Sequence, residues 1–109
     1  TIYGNGSQTR SFCYVDDLIE GMIRLMDSSL NTPVNIGNPE EFTIIELANK
    51  IKNIINPKLD IIYQPLPEDD PLKRKPDISK AKENLLWKPT INLDKGIKYT
   101  IDWFKKTYF

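Results

Sequence analysis

Residues 65–77 hold four prolines, Pro65, Pro67, Pro71 and Pro76. Proline fixes φ and has no amide donor, so this stretch can be neither helix nor central strand. It predicts one long loop, with alternating element types before it and helices after it. Before the loop, TIY (1–3), SFCYV (11–15), VNIG (34–37) and LDIIYQ (59–64) are rich in β-branched and aromatic residues. They predict short strands. Two amphipathic stretches lie between them. The first, capped by Asp16 or Asp17 and running to about Asp27, carries Leu18, Ile19, Met22, Ile23, Leu25 and Met26 at helical spacing. Core packing is the first reading of that stripe. The second opens at Thr43, has Glu46 at capping-box spacing, runs through Ile44, Leu47, Ile51 and Ile55, and stops before Pro57. After the loop, Ser79 starts a short helix. Leu93 to about Lys106 predicts a final helix with Ile97, Ile101 and Phe104 on its inner face. The alternation over residues 11–64 suggests parallel α/β units at a sheet edge. It is too short to close a doubly wound sheet, so some face is expected to pack on something outside this chain.

Composition narrows the function classes. Fifteen Lys/Arg balance fifteen Asp/Glu over 109 residues, so no global field draws the chain to nucleic acid or an anionic membrane. Any anion site must be local. No apolar run approaches the ~20 residues that span a bilayer, and no secretory signal pattern stands at the start. There is no histidine and one cysteine, Cys13. A Cys/His metal site and a Ser-His-Asp or Cys-His pair are therefore excluded. A Tyr-x-x-x-Lys pair is absent too, because Ser7, Leu18, Pro67 and Trp103 stand four residues after Tyr3, Tyr14, Tyr63 and Tyr99. No catalytic residue is assigned. The GNG at 4–6 is a turn and not a dinucleotide loop, since Thr9 stands where a third glycine is needed and a strand follows. The sequence begins at Thr1 on a strand-like segment, which is expected of an excised fragment or a processed protein.

The charge run EDDPLKRKPD (68–77) raises a sharper question. Arg74 sits in the proline-stiffened loop with Asp77 three residues on, and Arg10 follows the glycine turn. A guanidinium is a planar fork of donors that fits phosphate. Two such groups from separate loops could straddle a diphosphate, with an aspartate for a sugar hydroxyl. A lone surface arginine is usually solvated. Lys73 and Lys75 read as solvated charge; Glu68, Asp69 and Asp70 could be carboxylates for acid/base work, but three acids in a proline-rich loop are more often solvated.

The wording then becomes specific. TIYGNGSQTRSFCYVDDLIEGM resembles the segment Y-G-x-G-x-Q-x-R-x-F/W-x-Y-V-x-D of extended short-chain dehydrogenases/reductases, here Tyr3, Gly4, Gly6, Gln8, Arg10, Phe12, Tyr14, Val15 and Asp17. VNIGNPEEFTIIELA and DDPLKRKPDISKAKENLLWKPTINLDKGI are similar to later blocks of the same family. The D-D-P-x-x-R-x-P-D wording (Asp69, Asp70, Pro71, Arg74, Pro76, Asp77) is closest to the UDP-glucuronate decarboxylases. The resemblance covers essentially the whole chain. It implies an α/β fold: the C-terminal nucleotide-sugar-binding part of such an enzyme, with edge elements of a Rossmann sheet, the main NAD-binding domain lying outside the chain.

The resemblance also implies roles. Arg10 and Arg74 look like the pair on the UDP diphosphate, and Asp77 is similar to an aspartate near the ribose. The backbone around Ile2 and Tyr3 resembles the strand edge that reads uracil, and Gln8 resembles a nucleotide or sugar contact. Asp17 is read as a helix cap and Trp87 as packing, with Leu86 where the family has glycine. The complete enzyme implied would bind NAD and UDP-glucuronate and release carbon dioxide. It would pair this segment with an N-terminal Rossmann domain, and it would form a homodimer in the cytoplasm, or lie in a lumen behind a membrane anchor. The alternatives are the same segment of a nucleotide-sugar 4,6-dehydratase or epimerase, or a free-standing nucleotide-binding module.

Overall fold

The structure is a computed structural model that describes residues 1–109. In chain order the elements are β1 (Ile2–Tyr3), β2 (Thr9–Ser11), α1 (Val15–Met26), β3 (Glu41–Thr43), α2 (Ile44–Ile55), β4 (Tyr63–Gln64), α3 (Ser79–Leu85) and α4 (Leu93–Tyr108). They fall into two compact units, one of Thr1–Ser11 with Glu40–Lys75 and one of Phe12–Pro39 with Pro76–Phe109.

The first unit holds all four strands. β1 pairs in parallel with β4, Ile2 opposite Tyr63 and Tyr3 opposite Gln64. The pairing continues past both ends: the Ile2 amide donates to the Ile62 carbonyl and the Gly4 amide to that of Gln64, each at 2.7 Å. β2 pairs antiparallel with β3, Arg10 opposite Phe42. The turn joining β1 to β2 needs positive φ at Gly4 (77°) and Gly6 (81°), a region that costs an L side chain energy. Gly6 also lacks room, because a Cβ there would lie 2.9 Å from the Ile45 Cβ. The start of α2 thus seats on the turn, with the Ile44 and Ile45 amides donating to the Gln8 and Gly6 carbonyls at 3.0 Å. Thr43 ends β3 and caps α2, its Oγ1 accepting from the Glu46 amide at 3.1 Å.

The second unit is helical around a core of Ile78, Ala81, Leu85 and Trp87, with Leu25, Leu30, Val34 and Ile36 packed on it. Trp87 is 1% exposed, and its indole N–H donates to the Asp17 carbonyl at 3.0 Å. Gly21 lets α1 approach this core, since a Cβ there would stand 2.7 Å from Ile36 Cγ2. α3 stops at Leu86, which takes the left-handed conformation (φ 51°, ψ 33°). The Trp87 amide then closes onto the Ala81 carbonyl at 3.2 Å. Asn92 caps α4, accepting from the Lys95 amide at 2.9 Å, and Tyr14 packs on Tyr99 with ring centroids 5.6 Å apart.

The α/β class, the loop at 65–77 and all four helices agree with the sequence. Several details do not. The second strand is Thr9–Ser11 and not 11–15, while 34–37 is not a strand and of 59–64 only Tyr63–Gln64 is strand. Val34 and Ile36 are apolar because they pack on the Trp87 core, not because they lie in a sheet. The β2–β3 pair is antiparallel, so only β1–β4 follows the parallel expectation. Asp17 does not cap α1. The cap is Tyr14, without a side-chain bond, and the Asp17 carboxylate reaches Thr90 and Ile91 instead. Most of the α1 stripe is not core: Leu25 packs on the Trp87 cluster, but Leu18, Ile19, Met22, Ile23 and Met26 are exposed, and so is Phe104. Periodicity marks a face that wants burial but does not say where its partner is encoded.

Candidate functional site

β2 holds Arg10 by its ladder to β3. From there the guanidinium has two fixed neighbours. Nη1 donates to the Thr9 carbonyl at 2.7 Å, and Nη2 pairs with Asp70 Oδ1. The side chains are 19% and 30% exposed, so both are sheltered yet reachable from solvent. Asp70 comes from the proline-rich loop, where its amide closes a turn on the Pro67 carbonyl at 3.2 Å. Two more bonds lay the loop along β2: the Thr9 amide to the Leu72 carbonyl at 2.8 Å, and the Ser11 hydroxyl to the Arg74 carbonyl at 3.5 Å. The Arg74 backbone therefore runs beside the neighbour of Arg10, and its side chain is exposed along with Lys73 and Lys75. A basic stretch docked along a strand that presents a sheltered arginine can receive an anion with several oxygens.

Ile2, Tyr3 and Gln8 belong to the same unit. Ile2 is 3% exposed, its amide committed to β4. Strand alternation turns the Tyr3 backbone to the other edge, where the Gln8 Nε2 donates to its carbonyl at 2.7 Å. Gln8 is 5% exposed, so its amide nitrogen braces the strand end. The Tyr3 ring is exposed. Asp77 lies in the second unit. Its Oδ1 accepts from the hydroxyl and the amide of Ser79 at the start of α3. Those two bonds, the hydroxyl first, hold its carboxyl below the usual carboxylate range, with a smaller contribution from Lys82 and an opposing one from burial. Asp77 is therefore charged throughout the neutral range, and its carbonyl accepts from Asn35 Nδ2 at 3.3 Å.

The structure thus brings Arg10 together with the loop of Arg74, and Gln8 with Tyr3. It adds Asp70, which the sequence reading took as solvated. One local signal pointed to it: a residue before proline is restricted to extended backbone, so an acid at position 70, ahead of Pro71, is stiffly aimed. The glycine turn does not fit the phosphates of a dinucleotide. The open side of Gly6 is filled by Ile45, and β2, not a helix, follows the glycine turn.

The family described as GDP-mannose 4,6 dehydratase matches residues 1–100. A UDP-glucuronic acid decarboxylase 1 of Arabidopsis thaliana is 51% identical over 105 residues, covering 96% of this chain and 24% of that protein. The chain therefore spans about a quarter of the length of the curated relatives it matches. Among solved structures, a UDP-glucose 4-epimerase from Thermotoga maritima with UDP-glucose superposes with a TM-score of 0.92 at 33% identity, over 99% of this chain and 35% of that one. The UDP-glucuronic acid 4-epimerase of Bacillus cereus, in complex with UDP-glucuronic acid and NAD, gives 0.87 at 30% identity, over 98% and 35%. With a family profile across residues 1–100 and decarboxylase relatives at half identity, the chain belongs to the GDP-mannose 4,6-dehydratase family, among the epimerases, dehydratases and decarboxylases of the extended short-chain dehydrogenase/reductase fold.

Proposed function

We propose that this chain is the UDP-sugar-binding part of an NAD-dependent UDP-glucuronate decarboxylase, which yields UDP-xylose and carbon dioxide. The carrying observation is the half-identity to UDP-glucuronic acid decarboxylases across nearly the whole chain. The arginine held at β2 beside a basic loop supports the same reading. In this scheme Arg10 and Arg74 hold the diphosphate. The Tyr3 backbone, braced by Gln8, faces the base. The oxidation and reduction of the sugar, and the NAD that serves them, are assigned to an N-terminal Rossmann domain of the same protein. This segment alone is therefore inactive. The complete enzyme is assigned as a cytoplasmic homodimer.

Calorimetric titration of the protein in its full native length with UDP tests the clamp. Arg10→Ala and Arg74→Ala should each weaken binding by about ten-fold or more, the loss of one charge-assisted contact. Unchanged affinity in both variants would sink the assignment. A second reading, a nucleotide-sugar epimerase, is favoured by the superposition on the Thermotoga maritima enzyme. Incubation with UDP-glucuronate separates the two, because release of carbon dioxide belongs to the decarboxylase alone.

A further inference from the structure

We infer that Asp70 is the positioning residue of the anion site: its carboxylate fixes the Arg10 fork and the Arg74-bearing loop in the arrangement that receives a nucleoside diphosphate. The inference rests on the diphosphate reading of Arg10 and Arg74. An arginine is long and flexible, and ordering it on binding subtracts from affinity. Here the ordering is done in advance. Bonds on both terminal nitrogens, to the Thr9 carbonyl and to Asp70, define the plane of the guanidinium and leave its other N–H groups for a ligand.

Asp70 can act as a fixed point because it is held on both sides. Its own amide is tied to Pro67, and two residues on, the Leu72 carbonyl takes the Thr9 amide. Pro71 stiffens the backbone between those two ties. The Arg10–Asp70 pair spans 60 positions of sequence, so one ion pair sets the side chain of Arg10 and the path of the chain leading to Arg74.

The opposing view is that Asp70 competes with the anion and repels it. Direct pairing acts at contact distance between sheltered groups. Repulsion of a phosphate beyond the arginine acts over a longer path, through a carboxylate that solvent reaches and salt screens. Positioning therefore outweighs repulsion, and the two views predict opposite signs.

The test is titration of the full-length protein with UDP, comparing wild type, Asp70→Ala, Asp70→Asn, Arg10→Ala, Arg74→Ala and the Asp70→Ala/Arg10→Ala double variant. Asp70→Ala should weaken UDP binding by about ten-fold, the scale of a lost charge-assisted contact. Asp70→Asn keeps an oxygen toward Arg10 and should recover most of that loss. In the Arg10→Ala background, removing Asp70 should change affinity by less than about two-fold, because the two residues act as one unit. Circular dichroism reports folding, and Asp70→Ser, whose hydroxyl is too short to reach Arg10, takes the place of the alanine variant with the same expected loss should that one not fold. If Asp70→Ala binds UDP as well as wild type or more tightly, while Arg10→Ala and Arg74→Ala weaken it, positioning is overturned and the diphosphate site stands. If neither arginine variant changes UDP binding, the site reading falls and the inference with it.

Discussion

At the scale of single residues, Asp17 is 7% exposed, and its carboxylate accepts from the Thr90 amide, the Thr90 hydroxyl and the Ile91 amide at 2.9–3.0 Å. A buried carboxylate with those three donors fastens the start of α1 to the chain entering α4. Removing it leaves two backbone amides without their partner, so Asp17→Ala should destabilise the protein by about 2–3 kcal/mol, read from the urea midpoint. The local pattern Y-V-D-D ahead of an apolar run looks like a helix start, and so Asp17 reads as a cap. Its actual partners lie 73 and 74 positions away, beyond the reach of any local rule. Asp70 is the same case, its partner Arg10 lying 60 positions away. Thr43 is the contrast, because its capping partner, Glu46, is three residues away and was legible from spacing.

At the scale of elements, the end of α3 carries a cost. Leu86 is 81% exposed with φ 51°, where a non-glycine residue loses roughly 1–2 kcal/mol. Its side chain returns little packing. Leu86→Gly should raise stability by about 0.5–1 kcal/mol, the relief of strain less the added freedom of the unfolded chain. A shift of thermal midpoint upward by a few degrees is the expected reading. Helices were easier to place than strands for a physical reason. α1, α2 and α4 each repeat an apolar face over several turns, which fixes their existence. The strands are two or three residues long, too short for a period-two pattern, and apolar segments such as 34–37 look the same packed in a core or paired in a sheet.

At the scale of the molecule, the exposed face of α1 dominates. Leu18, Ile19, Met22, Ile23 and Met26 lie on the helix facing solvent, and a contiguous apolar patch of this kind marks a surface made to be covered. The 109-residue segment taken alone should therefore self-associate at micromolar concentration, as measured by light scattering. Ile19→Lys with Met22→Glu should render it monomeric without loss of helix content. A wild-type segment that stays monomeric would show that this face needs no cover.

By itself the sequence determined which stretches are helical, where α2 is capped, that the proline run is a loop, and which residue types could receive an anion. These depend on spacings within a turn or two of chain, and sequence records such spacings directly. The tertiary structure alone decided that Arg10 meets Asp70, that Asp17 serves Thr90 and Ile91, that β2 and β3 run antiparallel, and that of the α1 stripe Leu25 packs on the core while the rest stays exposed. Each of those depends on which distant segments converge, and a local pattern can state that a charge or an apolar face wants a partner without naming it.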